Sequence, residues 1–148
     1  MSDMGYDDIR KAWEAETQEE ELQDLEDLQL GKMVQYVSKV RMMLTEVSAE
    51  DRLAADILIS ELRNLDFMLR DLLLLRREKI VRAAVTRRRP VSAMTLSEED
   101  LYNRLSRGMA EHLDFVRGLL EGRVIQTHTD TESKDEAMVE SVVVRFLR

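Results

Sequence analysis

Apolar positions recur along this chain at helical spacing, and one stretch carries more of them than a surface helix needs. Between Gly31 and Pro90 there is no glycine or proline. From Leu65 to Leu75, eight of the eleven residues are apolar. An ordinary surface helix has an apolar face only a little over ~100° wide, whereas this stretch is apolar nearly all round. We therefore predict a long helix that is covered on most sides, in part by a second chain.

The same periodicity predicts three further helices. We place the four helices at about residues 5–17, 28–47, 49–87 and 98–121. The pairs Ser48 with Asp51 and Ser97 with Asp100 have the spacing of capping boxes, so we expect Ser48 and Ser97 to be N-caps. Gly122 is the expected C-cap of the last helix because glycine tolerates a left-handed backbone.

The pattern changes after the fourth helix. Residues 124–138 are polar and charged, which is typical of a flexible linker. Residues 139–148 are mostly β-branched or apolar with partial alternation, which predicts a strand that needs partners to pair with. We interpret the chain as an all-α helical bundle (residues 1–123) with one long central helix, followed by a linker and the unpaired first strand of a truncated small β-domain.

Composition agrees with a bundle and narrows its class. Leucine, methionine and charged residues dominate while aromatic residues make up 5%, a balance that favours helices. Cysteine is absent, which excludes disulfides and thiolate chemistry and fits an intracellular protein. No apolar run approaches the ~20 residues of a membrane span. We expect a soluble, cytoplasmic protein.

Catalytic motifs are not evident. The two histidines, His112 and His128, belong to no metal-ligand pattern, and we expect His112 to be a partly buried structural residue. The glycines are scattered singly, so no phosphate-cradling loop is indicated. We predict that the protein is not an enzyme and uses no cofactor.

Charge is unevenly distributed along the chain. Residues 1–27 carry eleven acidic and two basic side chains, whereas residues 28–95 carry eight acidic and thirteen basic ones. Within the acidic connection after the first helix, we expect Leu22 and Leu25 to pack back onto the core. Seven cations form a basic cluster near the end of the long helix: Arg76, Arg77, Lys79, Arg82, Arg87, Arg88 and Arg89.

The basic cluster has two interpretations. Cations near a helix C-terminus favour the helix dipole and pair with acids of neighbouring subunits. Alternatively, they contact nucleic-acid phosphates, although no aromatic residues interleave with them for base stacking. We favour protein contact over a weaker DNA contact. A generic coiled-coil adaptor is a third alternative, because the second helix has near-heptad spacing.

Three segments together resemble GINS replication proteins of the archaeal type. The segment Leu72-Leu73-Leu74-Leu75-Arg76-Arg77-Glu78-Lys79-Ile80 resembles the leucine-rich Arg-x-x-Lys-Ile segment of their central helix. The start, Tyr6-Asp7-Asp8-Ile9-Arg10-Lys11-Ala12-Trp13-Glu14-Ala15-Glu16, is similar to the opening of archaeal GINS subunits. The end, Val142-Val143-Val144-Arg145-Phe146-Leu147-Arg148, resembles the first strand of their small β-domain.

The resemblance implies a non-enzymatic scaffold at the replication fork. GINS subunits form homomeric or mixed tetramers through their helical domains and bind the minichromosome maintenance helicase and a RecJ-like partner. It implies chromosome association within the cytoplasm, and a partner contact at the start of the β-domain through Phe146 and Leu147. The expected oligomer-interface residues lie on the long helix: Leu65, Leu69, Leu72, Leu73 and Ile80.

Overall fold

The described part of the chain folds as an all-α helical bundle, which confirms the predicted class. The structure, a computed structural model, describes residues 3–122. Four helices are found in that range: α1 (Tyr6–Gln18), α2 (Asp27–Glu46), α3 (Arg52–Thr86) and α4 (Leu96–Leu120). The 35 residues of α3 span about 52 Å at 1.5 Å per residue, somewhat less than the sequence predicts.

The long helix α3 organises the core, since α1 and α2 both pack against it. One cluster of buried side chains joins these three helices and includes the predicted Leu25; its members are Ile9, Leu25, Met33, Val37, Val40, Leu65, Met68 and Leu72. A second cluster joins the C-terminal half of α3 to the start of α4 and includes the predicted Leu22; its members are Leu22, Ile80, Ala84, Met94 and Tyr102. The acidic connection thus packs on the core as expected.

The N-cap of α3 differs from the prediction. Asp51 itself is the N-cap, and its carboxylate accepts a hydrogen bond from the Ala54 amide at 3.1 Å. Ser48 lies one turn earlier, where its carbonyl accepts from the Asp51 amide at 3.0 Å. That turn is not continued into the helix, because the short polar side chain of Asp51 satisfies a free amide of the first turn.

The N-cap of α4 also lies earlier than predicted, at Thr95. The Thr95 hydroxyl accepts from the Glu98 amide at 3.2 Å, and the Glu98 carboxylate accepts from the Thr95 amide at 3.0 Å. This reciprocal pair is a capping box. Ser97 already lies inside the helix, so the prediction of Ser97 and Asp100 as the capping pair is wrong.

Both long helices end in residues with a left-handed backbone. After α3, Arg87 has φ 60°, and the Arg88 amide donates to the Ala83 carbonyl at 2.9 Å. After α4, Gly122 has φ 78°, as its predicted C-cap role requires. Arginine pays a steric cost in this conformation that glycine does not.

The chain divides into two compact units, residues 1–106 and residues 107–148. In the described part of the second unit, the rings of His112 and Phe115 stack with centroids 6.1 Å apart. His112 is exposed, so its predicted partial burial is wrong. The predicted linker (124–138) and strand (139–148) lie outside the described residues. Among the described helices, none combines the length and apolarity that crossing a bilayer requires.

Candidate functional site

A buried ion network lies where α1, α3 and α4 meet. Its centre is Arg76, which is fully buried (0% exposed) on α3. The Arg76 guanidinium donates to both carboxylate oxygens of Glu98, with Nε at 2.7 Å and Nη2 at 2.9 Å. Its Nη1 donates to Oε1 of Glu16 at 2.8 Å. The contact with Glu98 is bidentate, which matches the planar geometry of the guanidinium.

Lys79, one turn further along α3, completes the network. Its ammonium donates to Oε2 of Glu16 at 2.6 Å and to the Glu16 carbonyl at 2.7 Å. It also donates to the carbonyls of Glu19 and Glu21, at 2.9 and 3.2 Å. We call Arg76, Lys79, Glu16 and Glu98 the Arg76 network; its two cations balance its two carboxylates.

The local fold explains why these four side chains converge. Glu16 lies in the last turn of α1, and Glu98 lies in the first turn of α4, where it also closes the capping box. Arg76 further donates to the carbonyls of Gln23 and Ala93, at 2.5 and 3.4 Å. The network therefore fastens four separate segments of the chain to α3.

These contacts shift the pKa values of two members of the Arg76 network, Glu98 and Arg76. Burial disfavours the charge of Glu98, but hydrogen bonds from Arg76 and from the Thr95 backbone outweigh burial and lower the pKa of Glu98 below its usual value. Burial likewise opposes the charge of Arg76, yet hydrogen bonds to Glu98 and Glu16 raise the Arg76 pKa above its usual value. Both of these groups stay charged, so the contact between Arg76 and Glu98 holds α4 against α3 as an ion pair.

The seven cations of the basic cluster have different surroundings in the folded chain. Arg76 and Lys79 make their hydrogen bonds within the Arg76 network, and their contact with nucleic acid or a partner stays a prediction. Arg89 lies over the Tyr102 ring at 5.2 Å and donates to Asn103 at 3.2 Å. The four remaining cations are exposed and form no ion pair within residues 3–122: Arg77, Arg82, Arg87 and Arg88.

The predicted oligomer-interface leucines are divided in the same way. Leu65, Leu72 and Ile80 are almost fully buried inside this chain, and their place in an oligomer interface stays a prediction. Leu69 and Leu73 are half-buried and pack against the first core cluster. Phe146 and Leu147 lie outside the described residues, so their partner contact stays a prediction.

Part of the exposed apolar surface of α3 lies on another row, in the C-terminal two thirds of the helix. Phe67, Leu74, Val81 and Val85 follow one another at spacings of seven, seven and four residues, which places them on one side. Phe67 is 58% exposed and Val85 55% exposed. We call these four residues the α3 ridge. The count of apolar residues predicted surplus area, but it could not tell which row faces outward.

A groove lies beside the end of α3. The acidic connection forms one wall with Glu20 and Glu21, and α3 with the following loop forms the other with Arg82 and Arg88. Leu22, Ala83 and the fully exposed Val91 also line it. We call this the end groove. Sequence spacing could not reveal it, because its walls are about 60 residues apart in the chain.

No cluster of side chains suited to a metal ion occurs among residues 3–122. The fold and these surfaces define an all-α helical bundle fastened by a buried ion network, with an apolar ridge and a charged groove left exposed. No family model, curated protein or solved structure matches this chain.

Proposed function

We propose that this protein is a non-enzymatic assembly subunit of the GINS type, which forms a tetramer and links the minichromosome maintenance helicase to a RecJ-like partner at the replication fork. The observation that carries the proposal is the α3 ridge. Four large apolar side chains on one row of the central helix are uncovered within the described residues. Large apolar side chains left exposed on one side of a helix are candidates for protein–protein contact.

The resemblance supports the proposal at two of its three segments. The Arg-x-x-Lys-Ile residues supply Arg76, Lys79 and Ile80, all of which pack inside the bundle. The Tyr6…Trp13 opening forms α1, where Trp13 Nε1 donates to Asp71 Oδ2 of α3 at 2.7 Å. These segments therefore have a shared structural role, since both fix α3 against its neighbours.

The proposed mechanism requires no bond chemistry. A scaffold that binds two partners at once raises the effective concentration of each near the other. A rigid α3, fastened by the Arg76 network, would keep the α3 ridge in one geometry and so limit the entropy lost on assembly. In this mechanism, binding of one partner to the protein favours binding of the other partner at the chromosome.

The test is light scattering on the purified full chain, alone and with a second GINS-type subunit. We expect a tetramer in one of the two samples. Leu74→Glu with Val81→Glu places charge on the α3 ridge and should abolish the tetramer. A matched control, Leu28→Glu with Met42→Glu, alters exposed side chains of α2 and should not. A monomer under every condition would refute the proposal.

Partner linkage needs a second measurement. The helicase and the RecJ-like protein should co-elute in size-exclusion chromatography when the assembled subunit is added. Without the subunit, the two should elute separately. Co-elution that does not depend on this protein would count against a linking role.

Binding of nucleic acid is a second candidate function, favoured by the four exposed arginines that form no ion pair with any residue in the range 3–122. Phosphate contacts would make affinity fall steeply with salt. Fluorescence anisotropy with single- and double-stranded DNA at two salt concentrations tests this, using Arg82, Arg87 and Arg88 changed to alanine. Unchanged binding by the triple variant would exclude this surface.

A further inference from the structure

We propose that the end groove is a two-fold contact between two copies of this chain, in which the acidic wall of each copy faces the basic wall of the other. This inference deepens the proposed function and rests on it, because the contact would be one of the interfaces that build the assembly.

The two walls of the end groove carry opposite charges that do not neutralise each other. Glu20 and Glu21 stand on the connection, and Arg82 and Arg88 stand on α3 and the loop after it. All four side chains are exposed. Within residues 3–122, none of them forms an ion pair. The described part of one copy therefore presents two acids and two bases that form no ion pairs with one another or with other described residues.

Such an arrangement is complementary to itself. In a two-fold interface the same patch is used by both partners, and residue i of one copy meets residue j of the other while j meets i. A rotation about an axis between the walls brings Glu20 and Glu21 of each copy to Arg82 and Arg88 of its partner. One contact would thus satisfy eight charges.

The apolar residues of the end groove suit the same contact. Val91 is fully exposed on the loop after Pro90, and Leu22 and Ala83 lie in the groove. Under the two-fold rotation, the Val91 side chain of one copy meets the groove of the other. Apolar area at the centre with charges around it is the usual anatomy of a protein interface.

The acidic wall argues against nucleic acid as the occupant. Glu20 and Glu21 would repel phosphates that approached Arg82 and Arg88. The aromatic ring nearest in sequence, Tyr102, is buried and lies beneath the Arg89 guanidinium, so it offers no face for base stacking. A partner with both signs of charge fits better.

Charge reversal on the full chain tests the inference, with sedimentation velocity as the measurement. Arg82→Glu with Arg88→Glu places acidic side chains on both walls, and Glu20→Arg with Glu21→Arg places basic side chains on both. We expect each variant alone to associate at least about tenfold more weakly than the wild type, since like charges face each other. An equimolar mixture of the two should associate, and so should the quadruple variant in which the walls are exchanged.

The control matches the charge change elsewhere. Arg41→Glu with Arg63→Glu alters exposed arginines of α2 and α3 away from the end groove and should leave association unchanged. Circular dichroism confirms that each variant is folded. Association of the wild type should also weaken with added salt.

The possible results distinguish this two-fold contact from nucleic-acid binding and from the proposed function. Unchanged assembly in both reversal variants, or failure of the mixture and the quadruple variant to recover, overturns the inference and leaves the scaffold function standing. Loss of DNA binding instead of self-association in the arginine variant overturns it in favour of nucleic acid. A wild type that never self-associates also overturns it. Recovery in the mixture without any tetramer or partner linkage supports the contact and refutes the proposed function.

Discussion

Replacing Arg76 by methionine is the sharpest test of how this bundle is held together. Methionine preserves much of the length and the aliphatic volume of arginine, but it supplies no donor. Arg76 makes five hydrogen bonds, three of them to the carboxylates of Glu16 and Glu98. After the substitution Glu16 is still buried and Glu98 is still mostly buried (13% exposed), with one cation of the network gone.

The expected loss can be estimated from what remains. Removing one partner of a buried ion pair costs about 3–5 kcal/mol, because the other charge is left uncompensated. Here Glu16 keeps Lys79 at 2.6 Å, and Glu98 keeps the Thr95 amide at 3.0 Å. We therefore expect the lower end of that range, ~3 kcal/mol. Adding Glu98→Gln removes one of the stranded charges and should recover about 1 kcal/mol.

Urea unfolding followed by circular dichroism measures this loss. At an m-value of about 2 kcal/mol/M, the midpoint should fall by about 1.5 M. Arg77→Met is the matched control, since Arg77 is the exposed neighbour, and it should change the free energy of unfolding by less than about 0.5 kcal/mol. If the two variants unfold at the same urea concentration, the Arg76 network does not stabilise the bundle and the reasoning is refuted.

The remaining predictions concern single positions. Thr95→Ala should lower the free energy of unfolding by about 1 kcal/mol through loss of the α4 cap, whereas Ser97→Ala should leave it nearly unchanged; thermal unfolding of both distinguishes the two caps. Because the pKa of Glu98 is lowered on folding, its contribution is complete above about pH 4.3 and is lost as pH falls through the folded value; Glu98→Gln should therefore show a shallower decline in acid urea titrations. Burial, followed by a hydrogen bond to a carboxylate, raises the pKa of Tyr36 to about 12, so stability should fall as pH rises from about 10 towards 12, and Tyr36→Phe should lack that fall. Arg87→Gly relieves a φ of 60° and should raise stability by about 1 kcal/mol, seen as a higher melting temperature; an unchanged or lower value would contradict the steric argument.

The sequence predicted the helices well because helical periodicity depends on residues that lie close together in the chain. The bounds of all four helices were predicted to within a few residues. The burial of Leu22 and Leu25 was also predicted. The caps were harder, since Thr95 and Ser97 are both good N-cap residues and the choice depends on whether Glu98 can reach back. That depends on three-dimensional structure rather than on spacing.

The candidate surfaces depended on contacts far apart in sequence, and there the sequence was a poorer guide. Arg76 and Arg77 are identical in type and adjacent, yet one is fully buried and the other exposed. What separates them is the position of Glu16, which precedes Arg76 by 60 residues. Likewise, the surplus of leucines on α3 was evident, but the outward row holds only Leu74 among them, beside Phe67 and two valines.

The sequence separations within the Arg76 network also set an order of events during synthesis. Glu98 follows Arg76 by 22 residues, so a nascent chain that has just released α3 from the ribosome holds a guanidinium with one of its two carboxylate partners. Until the first turn of α4 emerges, closing the core around Arg76 would strand a positive charge. We therefore expect α1 to close over Arg76 only after residue 98 has emerged.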